Sequence, residues 1–204
     1  MSLYSRHVLP WICHWSMRSK VLRPFRSRVA GCAEGRVLEI GIGSGLNLPH
    51  YCAAARCVIG IEPSWELLRM ARRKPGGTAV PYELVEGSAE FLPFENASMD
   101  SVVTTWTLCT IPDVERALSE MRRVLRPDGT LFFIEHGRAT EPNVARWQDR
   151  LDPLWSCIAG GCHLNRPIIQ LIEQAGFRIE QLETPRIPGP ATHTFLFQGR
   201  AIPE

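Results

Sequence analysis

The sequence predicts an α/β domain built on a seven-stranded, mainly parallel sheet with one antiparallel strand and helices on both faces. Three features lead there. After residue 35, short apolar runs alternate with amphipathic stretches of helical period, the texture of βαβ units around a covered sheet. The first run feeds directly into a glycine turn, Gly41-Ile42-Gly43-Ser44-Gly45. The last two runs are joined by a segment rich in proline and glycine (Pro185, Pro188, Gly189, Pro190) with no helix between them, so they should pair antiparallel.

Strands are expected at Arg36–Ile40, Cys57–Ile61, Tyr82–Val85, Ser101–Trp106, Thr130–Glu135, Phe177–Leu182 and Thr194–Gly199. Helices are expected over Leu46–Ala55, Ser64–Lys74 and Asp113–Leu125. Ser64 reads as an N-cap, with Leu67, Leu68 and Ala71 on the inner face of its helix. Asp113 reads as a cap and Asp100 as a turn residue. Ahead of the sheet, Trp11, Trp15, Leu22, Phe25 and Val29 recur at roughly helical spacing, so residues 4–30 read as one or two amphipathic helices. Pro24 should break that run, because it supplies no amide donor and crowds the preceding turn. The organisation is thus a basic helical arm or lid over residues 1–35 and the sheet domain over residues 36–204.

Composition bounds what the chain can be. Its 204 residues, 45% apolar, are enough for one domain with a sizeable core. The seven cysteines are scattered without a Cys-x-x-Cys pair, which points to free thiols in a reducing compartment. Cys162-His163 lacks ligand spacing and a third partner, so no metal is expected. No stretch approaches the roughly 18 apolar residues that span a bilayer, and residues 8–17 are interrupted by Pro10 and His14 with no small-residue cleavage site after them. A cytoplasmic protein is expected. Seven basic residues stand against Glu34 alone in the first 36, whereas the whole chain carries only +2. The first reading of such an arm is the solvated face of a packed helix. The second is peripheral contact with a membrane, while nucleic acid is not expected as a partner.

The glycine turn carries the first chemistry. Glycines there permit positive φ and let a ligand approach bare backbone at the sheet's carboxyl edge. The second strand ends in Glu62, 21 residues after Gly41, where a carboxylate reaches the ribose of an adenosine held over the first turn. Nicotinamide dinucleotides and S-adenosylmethionine share that geometry. The dinucleotide fingerprint asks for a third glycine where this chain has Leu46, which favours S-adenosylmethionine.

Here the sequence resembles the class I methyltransferases, over nearly all of the chain after residue 35. Leu38-Glu39-Ile40-Gly41-Ile42-Gly43-Ser44-Gly45 is similar to their first motif, and Ile59-Gly60-Ile61-Glu62-Pro63-Ser64 to the motif that places the ribose-binding acid. Glu86-Gly87-Ser88-Ala89-Glu90-Phe91-Leu92-Pro93-Phe94 is similar to their adenine loop, and Leu125-Arg126-Pro127-Asp128-Gly129-Thr130-Leu131 to their turn into the fifth strand. Ser88 stands where many members have Asp, so Glu90 or a backbone carbonyl becomes an alternative adenine acceptor. The resemblance implies a Rossmann-like fold and S-adenosyl-L-methionine held by Glu39, Gly41, Ile42, Gly43, Gly45, Asn47, Glu62, Pro63, Ser88, Ala89, Glu90, Trp106 and Thr107.

A narrower resemblance to the methyltransferase-like type 7 family rests on four segments. They are Thr107-Leu108-Cys109-Thr110-Ile111, Glu135-His136-Gly137, residues 147–155 (Trp-Gln-Asp-Arg-Leu-Asp-Pro-Leu-Trp) and Gly161-Cys162-His163-Leu164-Asn165-Arg166. Animal members are membrane-bound alkyl thiol S-methyltransferases with an apolar N-terminal segment; this chain has a basic helix there instead.

Methyl transfer from a sulfonium is an in-line displacement, so holding donor and acceptor in a dry pocket supplies much of the rate. A base still helps an acceptor that must lose a proton. His136, immediately after the fifth strand, is the candidate catalytic base; its alternative is a local hydrogen bond that fixes the next loop. Cys109, Cys162 and Arg166 are candidate acceptor contacts, although Cys109 reads first as a small apolar wall and Arg166 first as an anchor of the loop before a helix starting at Pro167. Tyr4, Trp11 and Trp15 read as a lid or as core packing. The expected function is methyl transfer to a small, rather apolar acceptor, a thiol first, with quinone or phospholipid acceptors as the alternative. A nicotinamide-dependent dehydrogenase and a non-catalytic cofactor-binding or membrane-surface module are the rivals.

Overall fold

A computed structural model describes residues 3–73 and 80–204. The chain opens with a turn of π-helix, Tyr4–Val8, continuous with α1 (Leu9–Met17). A 3-10 turn at Lys20–Leu22 leads into α2 (Arg23–Gly31). The sheet elements follow as β1 (Gly35–Ile40), β2 (Ala55–Glu62), α3 (Trp65–Arg72), β3 (Tyr82–Glu86), β4 (Met99–Thr105), α4 (Val114–Val124) and β5 (Leu125–His136). The last are α5 (Pro142–Ile158), α6 (Ile168–Gln174), β6 (Phe177–Glu183) and β7 (Leu196–Pro203). The strand order is β3-β2-β1-β4-β5-β7-β6, parallel throughout except for β7, which runs antiparallel to both β5 and β6. The seven strands and the single reversed strand are those the sequence predicts. The order reverses between β1 and β4, the switch point where open α/β sheets take their ligands.

Both faces of the sheet are covered, and β1 shows how. Leu38 and Ile40 join a core formed with Met121 of α4 and Ile172 of α6, while Val37 faces the opposite core with Val29 of α2 and Leu68 of α3. Each such fully buried aliphatic side chain contributes roughly 1.5–3 kcal/mol. The caps are as expected: Ser64 Oγ accepts from the amide of Leu67, and an Asp113 carboxylate oxygen from that of Arg116. Lys74, the expected end of α3, lies outside the described residues.

Several boundaries differ from the sequence expectation, each for a physical reason. No α-helix follows the glycine turn; Leu46–Ala55 contains only a 3-10 turn, Leu48–His50. The Asn47 side chain is drawn inward to Glu39 and Thr105, and Tyr51 is extended and buried, so the segment packs as a coil. Pro24 does not end a helix but sits in the first turn of α2, where its missing amide costs nothing. Pro167 is the N-cap of α6 rather than its first helical residue, without a side-chain cap. Arg126–Gly129 bulges out of the β4–β5 ladder, since Met99 pairs Leu125 but Ser101 pairs Thr130. Asp100 lies within β4, where its carboxylate accepts from the Arg36 amide and pairs with Arg56 and Arg126.

The N-terminal residues are less separate than an arm. α2 packs on the sheet through Val29 and Ala30, and Arg26, far from being solvated, is 5% exposed. Trp11 and Trp15 face outward, 47% and 64% exposed, so they are not core residues. Among the described residues no helix is long and apolar enough to cross a membrane.

Candidate active site

At the carboxyl edge of β1, Gly41, Gly43 and Gly45 all take positive φ (65°, 56° and 71°). A Cβ on Gly41 would strike the Thr107 side chain, and one on Gly45 would press on Leu48. Above Gly43 there is open space, its nearest neighbour being the Gly41 carbonyl at 3.8 Å. The loop is therefore closed on two sides and open at Gly43, the shape needed for a cofactor to lie against backbone. Gly60 in β2 makes room for Ile42, whose side chain would overlap any Cβ there.

Glu62 closes the second side. Its carboxylate accepts from the amides of Gly43 (3.1 Å) and Ser64 (3.0 Å), so β2 holds the glycine loop of β1 in place. Burial raises its pKa to about 7 against the two amides, which lower it. Pro63 beside it is exposed. On the third strand's loop, Ser88 Oγ donates to Glu90 (2.7 Å) and accepts from the Glu90 amide, while the other Glu90 oxygen accepts from the Asp113 amide. Ala89 is buried in the core beneath them.

Glu39 and Asn47 lie under the loop. Asn47 donates to Glu39 (2.8 Å) and Thr105 (3.0 Å), Tyr51 donates to the second Glu39 oxygen (2.8 Å), and Arg26 donates to the Asn47 side-chain Oδ1 (2.8 Å). Burial lowers the Arg26 pKa to about 10, against the pull of Glu39. Arg26 also covers the Trp106 ring at 4.7 Å. Tyr51, Thr105 and Arg26 carry no motif, and the sequence reading missed them.

The loop after β4 is organised by Glu135, to which the sequence reading gave no role. Fully buried, it accepts from Thr104 Oγ1 (2.8 Å) and from the amides of Thr107 (2.8 Å) and Leu108 (3.1 Å), fixing the loop after β4. Trp106 begins that loop with φ +51°, a strained value for an aromatic residue.

Three expected acceptor-side residues come together here. His136 Nε2 lies 3.1 Å from Cys162 Sγ, which lies 3.6 Å from Cys109 Sγ. The Cys109 contact and burial push the Cys162 thiol pKa well up, against His136. Burial lowers the His136 pKa, but Cys162, Glu135 and Asp152 outweigh it and leave a net rise. Arg166 donates to the Leu108 carbonyl, an anchoring role for the same loop. His163 stands apart, bonded to Asp152 at 2.8 Å.

α1 lies across the cofactor loop. His14 Nδ1 is 2.7 Å from Ser44 Oγ, and the Cys13 thiol pKa is raised mainly by burial, with Cys162 and Glu62 adding to the rise. A cleft of about 620 Å³ beside it is lined by Arg18, Arg23, Arg26, Arg69 and Arg73.

Comparison with known proteins agrees with this geometry. Residues 38–133 match the methyltransferase domain family. A phosphatidylethanolamine N-methyltransferase of Cereibacter sphaeroides is 34% identical over 96% of this chain and 97% of its own length. The thiol S-methyltransferase TMT1B of Rattus norvegicus is also 34% identical, over 74% of this chain, which spans only 63% of that relative. Among solved structures, a SAM-dependent methyltransferase of Thermotoga maritima superposes with a TM-score of 0.70 at 23% identity, covering 98% of both chains. The chain belongs to the class I S-adenosylmethionine-dependent methyltransferases.

Proposed function

We propose that the chain methylates the amine of an aminophospholipid headgroup while docked on a membrane surface from the cytoplasmic side. The observation that carries this reading is α5, an inverted amphipathic helix. It buries Ala145 and the polar Gln148 and Asp152, and it exposes Trp147, Leu151, Leu154 and Ile158, spaced as one face. Tyr4 donates to the Ile158 carbonyl (2.8 Å), which joins this face to the exposed Val8, Trp11, Ile12 and Trp15. Arg146, Arg150, Arg18 and Lys20 flank the surface, all exposed. Tryptophan among aliphatics with arginine at the rim is the composition of a helix lying in the headgroup layer of an anionic membrane. The match to the Cereibacter enzyme over nearly the full length of both chains supports the same substrate class.

The cofactor supplies an electrophilic methyl on sulfur. The chain's part is to bind it over Gly43 with Glu62 taking the ribose hydroxyls, to exclude water, and to accept the proton an ammonium must lose before it can attack. His136, at the end of β5, takes that proton. A thiol acceptor is the second reading, favoured by the likeness to TMT1B.

The test is transfer of labelled methyl from S-adenosylmethionine to vesicles of phosphatidylethanolamine in phosphatidylcholine, with alkyl thiols and quinols in parallel. Label in the lipid amine is expected. Transfer to thiols alone, or to quinols alone, overturns the reading; no transfer to any acceptor returns the chain to a binding module.

A further inference from the structure

We propose that Cys109 Sγ, Cys162 Sγ and His136 Nε2 form a binding site for a thiophilic divalent cation, with Zn²⁺ the ion their chemistry fits. The three come from separate parts of the chain: the loop after β4, the last residue of β5, and the turn between α5 and α6. Their ligand atoms all lie within 4.8 Å of one another. Tetrahedral bonds of about 2.3 Å to sulfur and 2.0–2.1 Å to nitrogen place ligand sulfurs about 3.8 Å apart and sulfur and nitrogen about 3.6 Å apart. The observed 3.6 Å between sulfurs already fits, and the 3.1 Å from His136 to Cys162 needs to open by only about half an ångström.

The arrangement is held by the backbone independently of any ion. The His163 amide donates to the Cys109 carbonyl at 2.8 Å, tying the two cysteine-bearing loops together beside their thiols. Asp152 grips the same turn through the Leu164 amide and His163 Nδ1. Charge also balances: two thiolates neutralise a divalent ion, their protons leaving to solvent. Three protein ligands leave the fourth tetrahedral position for water or another ligand. Sequence spacing hides the site, because no two of its ligands are neighbours and the adjacent His163 is turned away to Asp152.

An ion on His136 Nε2 removes the lone pair that accepts a proton, so metal occupancy and base catalysis by His136 exclude each other. That consequence, unlike the site itself, rests on the proposed function.

The test uses the full chain kept reduced, stripped with a chelator and titrated with Zn²⁺, then with Co²⁺ as a spectroscopic substitute. One Zn²⁺ per chain is expected, with a thiolate-to-cobalt charge-transfer band. Removing a first ligand should cost more than the roughly 10–100-fold typical of outer-shell partners, so C109S, C162S and H136Q should each weaken binding over 100-fold. C157S, at an exposed cysteine, should bind as wild type. Absence of Zn²⁺ uptake or of the cobalt band in the wild-type chain overturns the site without needing any variant to fold. So does wild-type affinity in C162S. Zn²⁺ should also inhibit amine methylation; stoichiometric binding without inhibition upholds the site and removes His136 as the base.

Discussion

If Glu62 takes the ribose as proposed, it should couple pH to cofactor binding. In the free protein its pKa is about 7. In the proposed binding mode ribose hydroxyls donate to the ionised carboxylate, so binding should select the deprotonated form. At pH 6 only about a tenth of the free protein has that form, and affinity for S-adenosylhomocysteine should be about tenfold weaker than at pH 8, by one pKa unit's worth of linkage. The sign for folding is opposite. A carboxyl whose folded pKa of about 7 exceeds an unfolded value of about 4.3 binds its proton more tightly when folded. It contributes stability below about pH 4.3, and that contribution is lost as pH rises towards 7, on the order of 3–4 kcal/mol in all. Glu62→Gln should therefore flatten both profiles. It should weaken cofactor binding by about 10–150-fold through loss of charge-assisted hydrogen bonds of about 1.5–3 kcal/mol. Isothermal titration calorimetry from pH 6 to 8.5 and urea unfolding at the same pH values test this. An affinity that does not vary with pH, or a slope that persists in E62Q, refutes it.

Further outcomes follow from the same geometry. Gly43→Val should abolish cofactor binding, because the side chain fills the open space over the loop and φ of +56° strains any β-branched residue; a calorimetric titration as tight as wild type would remove the loop assignment. Glu135→Ala should destabilise by about 2–6 kcal/mol, leaving two buried amides without acceptors at about 1–3 kcal/mol each, whereas E135Q can present its carbonyl to both amides and should cost far less. Equal urea midpoints for the two variants would contradict that account. Trp147→Glu with Leu154→Glu, at side chains on a residue pair 55% and 67% exposed, should leave thermal unfolding unchanged and lower partition onto anionic vesicles at least tenfold. Undiminished vesicle flotation would remove α5 from the membrane surface.

How much of this was legible in the sequence differs from site to site. The positive φ of Gly41, Gly43 and Gly45 and the position of Glu62 at the end of β2 were readable because their constraint is local: a positive φ demands glycine, and a strand of fixed rise puts a carboxylate at a countable distance. The sheet was readable for the same reason, since alternation and turn chemistry are properties of neighbouring residues. The helix expected after the loop was wrong because apolar spacing at Leu46 to Tyr51 is shared by a helix and by a coil whose Asn47 and Tyr51 turn inward. Only the presence of Glu39 below them decides between the two. The inversion of α5 was hidden similarly, because an apolar stripe is ordinarily assigned to the core and Gln148 and Asp152 to solvent.

The same non-local logic explains the buried acids at the ligand edge. Glu62 of β2 holds the Gly43 amide of the loop after β1, and Glu135 of β5 holds the Thr107 and Leu108 amides of the loop after β4. Each carboxylate thus serves the loop of the neighbouring strand, not its own. Which strand is the neighbour is set by sheet order, and a sequence read along the chain separates Glu135 from Thr107 by a whole helix. The place of Glu62 at the end of β2 was expected because the β1–β2 pair is common to adenosine-binding sheets, while the β4–β5 pair has no spacing rule to announce it. Both acids place amides at the sheet's carboxyl edge with little freedom to move. The loops after β1 and after β4 are therefore built by one device used twice, and loss of Glu135 should disturb Thr107 and Cys109 as loss of Glu62 should disturb Gly43.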